Sequence, residues 1–324
     1  MRAIITGARG QDATLLGRLL LSQGHQVLGT ERPDKAVGHS GMRSVCVDLS
    51  DRSAVESLIK EYQPDQIYHL AASHHSSEQR GDLTQDREMV GTNFSAAEVL
   101  LSAIALIRPT CRLLLAGSSQ MYAPTHGGVN TIDEDTPMVP TTFYGQTKAW
   151  SRHLLDHYRK QRSVFGTMVI LFNHESRLRS PLFLSRKVTM AAARARAGQP
   201  GGLRIRDIRA AIDWSSAHDF VEAMRLAIMA ATPEDYVVAS GIATKVEEVL
   251  EIAFGAVGLD WREHTTVESP VGGDRPVLIG NPARARKVLG WSSQTTIRRM
   301  IEDMVAFDLS LLGVPVSGTR RPRE

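Results

Sequence analysis

Tyr144 and Lys148 form a Tyr-x-x-x-Lys pair, and Ser118 lies 26 residues before the tyrosine, at the end of an apolar run. On a helix, residues at this spacing share one face. A lysine ammonium beside a phenol favours the phenolate, the form that a proton-abstracting base requires. A serine hydroxyl close by would hold a substrate alcohol in the same plane. The trio therefore suits removal of a proton from an alcohol while a hydride leaves the same carbon. By itself the spacing is a weak signal, because it also arises on any exposed helix face. Its weight depends on the elements that must position it.

The N-terminus supplies the first of these. Arg2 to Thr6 reads as a short buried strand that runs into Gly7-Ala-Arg-Gly10-Gln11-Asp12-Ala13, and Leu15, Leu16, Leu19 and Leu20 then give a helical apolar stripe. Strand, glycine turn and helix is the context of a phosphate-binding loop. Gly7 permits the tight turn, and Gly10 lets the backbone approach a pyrophosphate seated on the positive end of the helix. Ala13, in the third glycine's place, is small enough for helix to pack on strand. These residues predict a dinucleotide site. Glu31 and Arg32 end the second strand. An acid there binds ribose hydroxyls and an arginine accommodates a 2′-phosphate, so NAD and NADP both stay open. Asp48, followed by Leu49, comes after the apolar Ser44 to Val47 and falls near the adenine edge; its alternative role is that of a helix N-terminal acid.

Strands are expected near 2–6, 26–30, 44–47, 66–70, 112–117 and 167–172, with helices near 11–23, 51–61, 84–107 and 142–163. This alternation predicts a Rossmann-type, doubly wound parallel α/β sheet. Ligands bind such sheets at the carboxyl ends of the strands. Gly7, Leu70 to Ala72, Ser118 and Asn173 all fall there, so four segments converge on one crevice. The expected division is a dinucleotide-binding domain over 1–175, a mainly substrate-binding region over 176–315, and a flexible basic tail over 316–324. A strand near 235–240 should return to the main sheet.

The composition is that of an ordinary soluble protein, with a net charge of +3. No basic stripe with interleaved aromatics appears, which argues against nucleic-acid binding. Cys46 and Cys111 fall in strands expected to be buried, as core thiols of a reducing compartment. No apolar run approaches the ~20 residues of a transmembrane helix, and no signal-peptide pattern opens the chain. A cytoplasmic protein without membrane contact is expected, and no metal-ligand set stands out.

These residues together resemble the extended short-chain dehydrogenase/reductase family, and within it most resemble the GDP-mannose 4,6-dehydratases. The likeness rests on Thr6 to Asp12 with its Gly-Gln-Asp, Tyr68 to Ala72, Tyr144 to Lys148, and Ile170-Leu-Phe-Asn-His-Glu-Ser176. Arg186 to Val188, Asp213-Trp214, Pro233 to Gly241, Arg275-Pro276 and Leu289 to Trp291 extend it. It implies a GDP-hexose substrate, most simply GDP-mannose, with Asn173, Lys187 and Arg275 on the diphosphate or sugar. It also implies a bound, recycled NADP or NAD, and a homodimer or homotetramer paired through helices 84–107 and 142–163. In the reaction so implied, Tyr144 takes the C4 hydroxyl proton, Lys148 lowers the tyrosine pKa and binds the cofactor ribose, and Ser118 orients the C4 oxygen. A glutamate two residues after that serine removes the C5 proton as water leaves C6.

This chain departs from the pattern where it matters for that last step. Ser118-Ser119-Gln120 places a neutral amide at the glutamate's position, and an amide is no general base. Gln120 leaves three readings: dehydration with another group (Glu78, His74 and His75 follow the fourth strand), a 4-epimerase or 4-keto reductase, or a weakened binding paralogue. Ile212 before Asp213, and Ser73-His-His-Ser-Ser77, also differ from the dehydratases.

Overall fold

A computed structural model describes residues 1–32, 41–74, 82–125, 127–268 and 276–315. The first five strands are β1 (Arg2–Thr6), β2 (Gln26–Glu31), β3 (Arg43–Cys46), β4 (Gln66–His69) and β5 (Arg112–Ser118). The next six are β6 (Val129–Ile132), β7 (Gly166–Leu171), β8 (Asn173–Glu175), β9 (Leu203–Ile205), β10 (Ala211–Ser216) and β11 (Asp235–Val238). Three short ones, β12 (Ala243–Lys245), β13 (Thr265–Val267) and β14 (Val277–Gly280), complete the set. Seven of these strands form one parallel sheet in the order β11-β7-β5-β4-β1-β2-β3. Its central strands are buried on both faces, which is why they read as continuous apolar runs rather than alternating ones. The order reverses between β2 and β4, on either side of β1, and that switch point opens the crevice.

The first seven helices are α1 (Gln11–Ser22), α2 (Arg52–Tyr62), α3 (Leu83–Met89), α4 (Ala96–Ile107), α5 (Phe143–Arg162), α6 (Leu184–Arg196) and α7 (Ala217–Met229). The last three are α8 (Val246–Gly255), α9 (Ala283–Leu289) and α10 (Ile297–Leu311). The expected doubly wound α/β fold is present, with strand and helix bounds close to those read from the sequence. A π-helical stretch, Val90–Ser95, joins α3 to α4. α5 is tied to the outermost strand, because Asp235 of β11 is an acceptor for Arg152 Nε at 2.8 Å and Arg159 Nη2 at 2.5 Å.

A second apolar core lies between α6, α8 and α10 and includes Trp214, Leu250, Phe254, Trp261, Ile301 and Met304. Helix α7 does not join it. Phe220 and Met224 pack into the first core, as does Trp291 near the C-terminus, so chain order and core membership diverge after residue 216. The two regions are laced together by Asp213. Its fully buried carboxylate accepts from the backbone N–H groups of Ser240, Gly241 and Gly280 at 3.0 Å each, and from Ser240 Oγ at 2.5 Å.

Three expectations need correction. Cys111 is buried but Cys46 is exposed, because β3 is the edge of the sheet. The returning strand ends at Val238 rather than 240, where Ser240 and Gly241 turn to meet Asp213. Among the described residues, the helical run Leu83–Ile107 is long and apolar enough to cross a membrane by length and composition, although no such run was expected. Part of its apolar surface is accounted for by the sheet: Leu100, Leu101, Ala103 and Ile104 lie in the main core.

Candidate active site

The dinucleotide cradle is built by close approach. Gly7 has φ +71°, and a Cβ there would lie 2.8 Å from Ala71 Cα, so only glycine fits where β1 and β4 end. Thr6 fixes that junction. Its Oγ1 accepts from the N–H groups of Leu70 and Ala71 at 3.1 and 3.0 Å and pairs with His69 Nδ1 at 2.9 Å. Burial, aided by Lys148, pushes His69 down to about 3, so this ring is neutral. Gly10 caps α1 without any side-chain hydrogen bond, which leaves the first-turn N–H groups open to an anion. The cradle thus fits a pyrophosphate.

Farther along the cleft, Glu31 is buried, while Arg32 is exposed and bonded to Glu88 at 2.5 Å. Asp48 accepts from Ser50 N–H and Oγ at 2.9 and 2.6 Å, so its carboxylate shapes the turn before α2, and Asp51 is the true N-cap. Leu49 packs against the core. After β4, Ala71 is half-buried and Ala72 exposed.

Gln11 and Asp12, read from sequence as cofactor residues, direct their side chains elsewhere. Gln11 Nε2 donates to the His174 carbonyl at 3.2 Å, and Ser176 Oγ donates to Gln11 Oε1 at 2.8 Å. Asp12 Oδ2 meets His174 Nε2 at 2.9 Å, and His174 Nδ1 lies 2.7 Å from the Phe172 carbonyl. The two most distinctive segments of the sequence, Gly-Gln-Asp and Asn-His-Glu-Ser, are therefore one hydrogen-bonded unit.

Burial opposes charge on both members of the Asp12–His174 pair, yet their mutual attraction prevails: Asp12 is lowered and His174 raised. The depressed carboxylate contributes stability that is lost as pH falls through its folded value, below 3.8. The raised imidazole contributes stability that is complete below 6.5 and lost as pH rises through its folded value. Asp12→Asn is therefore expected to cost on the order of 1 kcal/mol in the mildly acidic window. The deficit should shrink towards alkaline pH. Chemical unfolding across that range checks it, and a deficit independent of pH would contradict it.

The chemical centre lies at the ends of β5 and α5. Ser118 closes β5, buried, and its hydroxyl is hydrogen-bonded with the Tyr144 phenol. Thr142 caps α5 by accepting the Gly145 N–H at 3.0 Å. Gly145 is obligatory, since a Cβ there would lie 2.0 Å from the Gln120 carbonyl oxygen. Lys148 is buried, with Nζ 5.6 Å from the centre of the Tyr144 ring. Burial alone brings its ammonium down to about 8.

Burial is the largest influence on the Tyr144 phenol. Burial pushes the phenol up to about 12; the Ser118 hydrogen bond and the Arg179 guanidinium act in the opposite direction. Lys148 Nζ lies 5.6 Å from the ring centre, and the Arg179 guanidinium is a cation that favours the phenolate. Arg179 was not singled out in the sequence. It lies 3.3 Å from Glu175 and 3.6 Å above the Phe183 ring. The signal available was a cation in the segment that follows Asn-His-Glu-Ser.

Asn93 was also missed, whereas His74 was named among the groups that follow the fourth strand. Asn93, in the π-helical stretch, exchanges two 3.0 Å hydrogen bonds with the backbone of Ser73 and a third with Thr147 Oγ1, joining the segment after β4 to the helix of Tyr144. Such π-turns recur at functional sites. His74 stands edge-on to Tyr144, ring centroids 4.5 Å apart, and is stacked on Phe183 at 6.0 Å. Its Nε2 is 3.2 Å from Gln120 Nε2. Of the expected substrate residues, Asn173 is exposed at the start of β8, and Lys187 is half-buried on α6. Arg275, His75 and Glu78 lie outside the described residues.

The family profile described as GDP-mannose 4,6 dehydratase matches residues 4–304. GDP-mannose 4,6 dehydratase 2 of Caenorhabditis elegans is 33% identical over 350 residues, covering 96% of this chain and 89% of that protein. GDP-mannose 4,6 dehydratase 2 of Arabidopsis thaliana is 33% identical over 330 residues, covering 95% and 87%. Among solved structures, the dTDP-glucose 4,6-dehydratase of Bacillus anthracis in complex with NAD superposes with a TM-score of 0.80 at 18% identity, covering 95% of this chain and 96% of that one, which shows the fold. On the profile and the full-length identity, the chain belongs to the GDP-mannose 4,6-dehydratase family.

Proposed function

We propose that the protein is a GDP-mannose 4,6-dehydratase, with NAD or NADP held through each turnover. The observation that carries this reading is the Tyr144–Ser118 hydroxyl pair at the strand ends, beside the Gly7–Gly10 cradle. Gly7, Gly10 and the first turn of α1 would hold the pyrophosphate, and Lys148 the nicotinamide ribose. A nicotinamide cofactor held there would supply hydride chemistry, as acceptor from C4 of the sugar and donor to C6.

The remaining work falls to side chains of this chain. Ser118 holds the C4 hydroxyl and Tyr144 takes its proton. The resulting C4 ketone acidifies the neighbouring C5–H bond, so water can leave across C5–C6. Asn173, Lys187 and Arg275 are the groups for the sugar and diphosphate. Phe143 and Trp150, both more than a third exposed on α5, and Leu106 at the end of α4 offer an apolar face for a homodimer or homotetramer; sedimentation velocity tests it.

Incubation with GDP-mannose in deuterated water tests the function. The expected product has lost its 6-hydroxyl and carries deuterium at C5. Inversion at C4 without solvent label would instead mark an epimerase, and binding without turnover would mark a non-catalytic relative. Parallel titrations with NAD and NADP identify the cofactor.

A further inference from the structure

The family's glutamate position holds Gln120, so a dehydratase of this sequence needs another group to take the C5 proton. We propose that His74 is that acid/base and that Gln120 is the residue that positions it, an assignment that rests on the functional reading above.

Location is the first ground. Tyr144 acts at C4, and C5 is the next carbon, one single bond of about 1.5 Å away. A base for C5 must therefore stand beside the Tyr144 ring, on the side of the crevice where residue 120 reaches. His74 does so. Its ring is 4.5 Å from that of Tyr144, and its Nε2 is 3.2 Å from the Gln120 amide nitrogen. Phe183 stacks on the ring at 6.0 Å, with Arg179 on Phe183, and Asn93 holds the backbone of Ser73 immediately before it. The imidazole is thus held on several sides.

The hydrogen-bond chain then decides which nitrogen carries the lone pair. Thr142 Oγ1 accepts the Gly145 N–H, so its own proton is free to go to Gln120 Oε1, 2.9 Å away. That fixes the amide with its oxygen towards Thr142 and its NH₂ towards His74. An amide N–H donor requires an acceptor, so Nε2 of His74 bears the lone pair and Nδ1 the proton. A carboxylate at position 120 would have demanded the opposite tautomer. Glutamine at this position therefore holds the ring in the neutral tautomer with its lone pair on the side of residue 120, where a bound sugar must displace the amide N–H before Nε2 can take a proton.

In the elimination, with the Gln120 N–H displaced from Nε2 by the sugar, the C5 proton goes to Nε2 of His74, and the C5–H electron pair becomes the C5=C6 bond. The C6–O bond breaks, and the oxygen leaves with its electron pair, taking a proton back from His74 to form water. The step is redox-neutral and leaves the imidazole as it began.

The test uses the full-length protein with its cofactor and GDP-mannose. His74→Gln is expected to lower formation of the 4-keto-6-deoxy product by ~10²–10⁴. It should still yield a C4-oxidised sugar nucleotide that keeps its 6-hydroxyl, and bind GDP-mannose as the wild type does by calorimetry. Adding Gln120→Glu to His74→Gln should restore product at least tenfold, because it returns the carboxylate. If His74→Gln does not fold, Gln120→Met retains the ring but frees its tautomer, and should slow elimination while leaving C4 oxidation intact. Wild-type dehydration rates in His74→Gln, or in Gln120→Met, overturn the assignment. So does loss of C4 oxidation together with elimination, which would mean that His74 only supports Tyr144. If the wild type itself gives no dehydrated product, the functional reading falls and the assignment falls with it.

Discussion

Tyr144→Phe is expected to lower turnover by ~10²–10⁴ while leaving binding of nucleotide and sugar nucleotide unchanged. The variant keeps the aromatic ring, so the edge contact with His74 and the packing under Lys148 persist. What it loses is the hydroxyl shared with Ser118, the only group placed to take the C4 proton among those described at the crest of β5. The pH profile gives a second reading of the same site. Burial holds the phenol up at about 12, so the phenolate fraction grows with pH throughout the neutral range. Lys148, brought down to about 8 by burial, loses its charge at the upper end of that range. Values of kcat/KM should therefore rise with pH and bend where the lysine deprotonates. Steady-state kinetics with isothermal titration checks both parts. Undiminished turnover by Tyr144→Phe would remove this tyrosine from the mechanism.

Gly145→Ala should be nearly as damaging, without touching a functional group. The added methyl would stand 2.0 Å from the Gln120 carbonyl oxygen and 3.1 Å from Thr142 Oγ1. Backbone cannot yield as a flexible side chain can, so the first turn of α5 must shift. Overpacking of this kind costs about 1–3 kcal/mol. Tyr144 and Lys148 sit on the displaced turn, Thr142 loses its geometry towards Gln120, and a misplacement of ~1 Å is enough for ~10²-fold in rate. A lowered Tm together with a comparable fall in kcat is the expected result. Unchanged values of both would mean that α5 does not pack against the 118–121 turn as described.

Long-period features of this protein were legible in its sequence. The main-sheet strands are apolar runs and the large helices carry clear stripes, so β1 to β5, β7 and α1 to α5 lie close to where the pattern puts them. Gly7 and Gly10 were legible because steric demands leave few alternatives to glycine. What escaped was short or relational. Strands of three or four residues, such as β8 and β12, have no period to read. Asn93 and Arg179 look like any other polar residue until the chain brings Ser73 and Tyr144 to them. The contact between Gln11-Asp12 and His174 joins two motifs that the sequence reading assigned to separate ligands, because spacing along the chain says nothing of a bond across 162 residues. The Tyr144–Lys148 spacing was visible, but it could not show that burial would oppose charge on both side chains.

Asp213 carries a consequence for how this protein comes into being. Its carboxylate is satisfied only when residues 240, 241 and 280 have arrived. The sheet's outermost strand, β11, and the acid that anchors the arginines of α5, also come from beyond residue 230. A chain emerging from the ribosome can assemble the cradle around Gly7 early, because β1, β2 and β4 are near in sequence. The ion pairs that tie α5 to Asp235 form only when most of the polypeptide has been made. Contacts of such long separation fold slowly. The ties that complete the main sheet and anchor α5 therefore come from beyond residue 230.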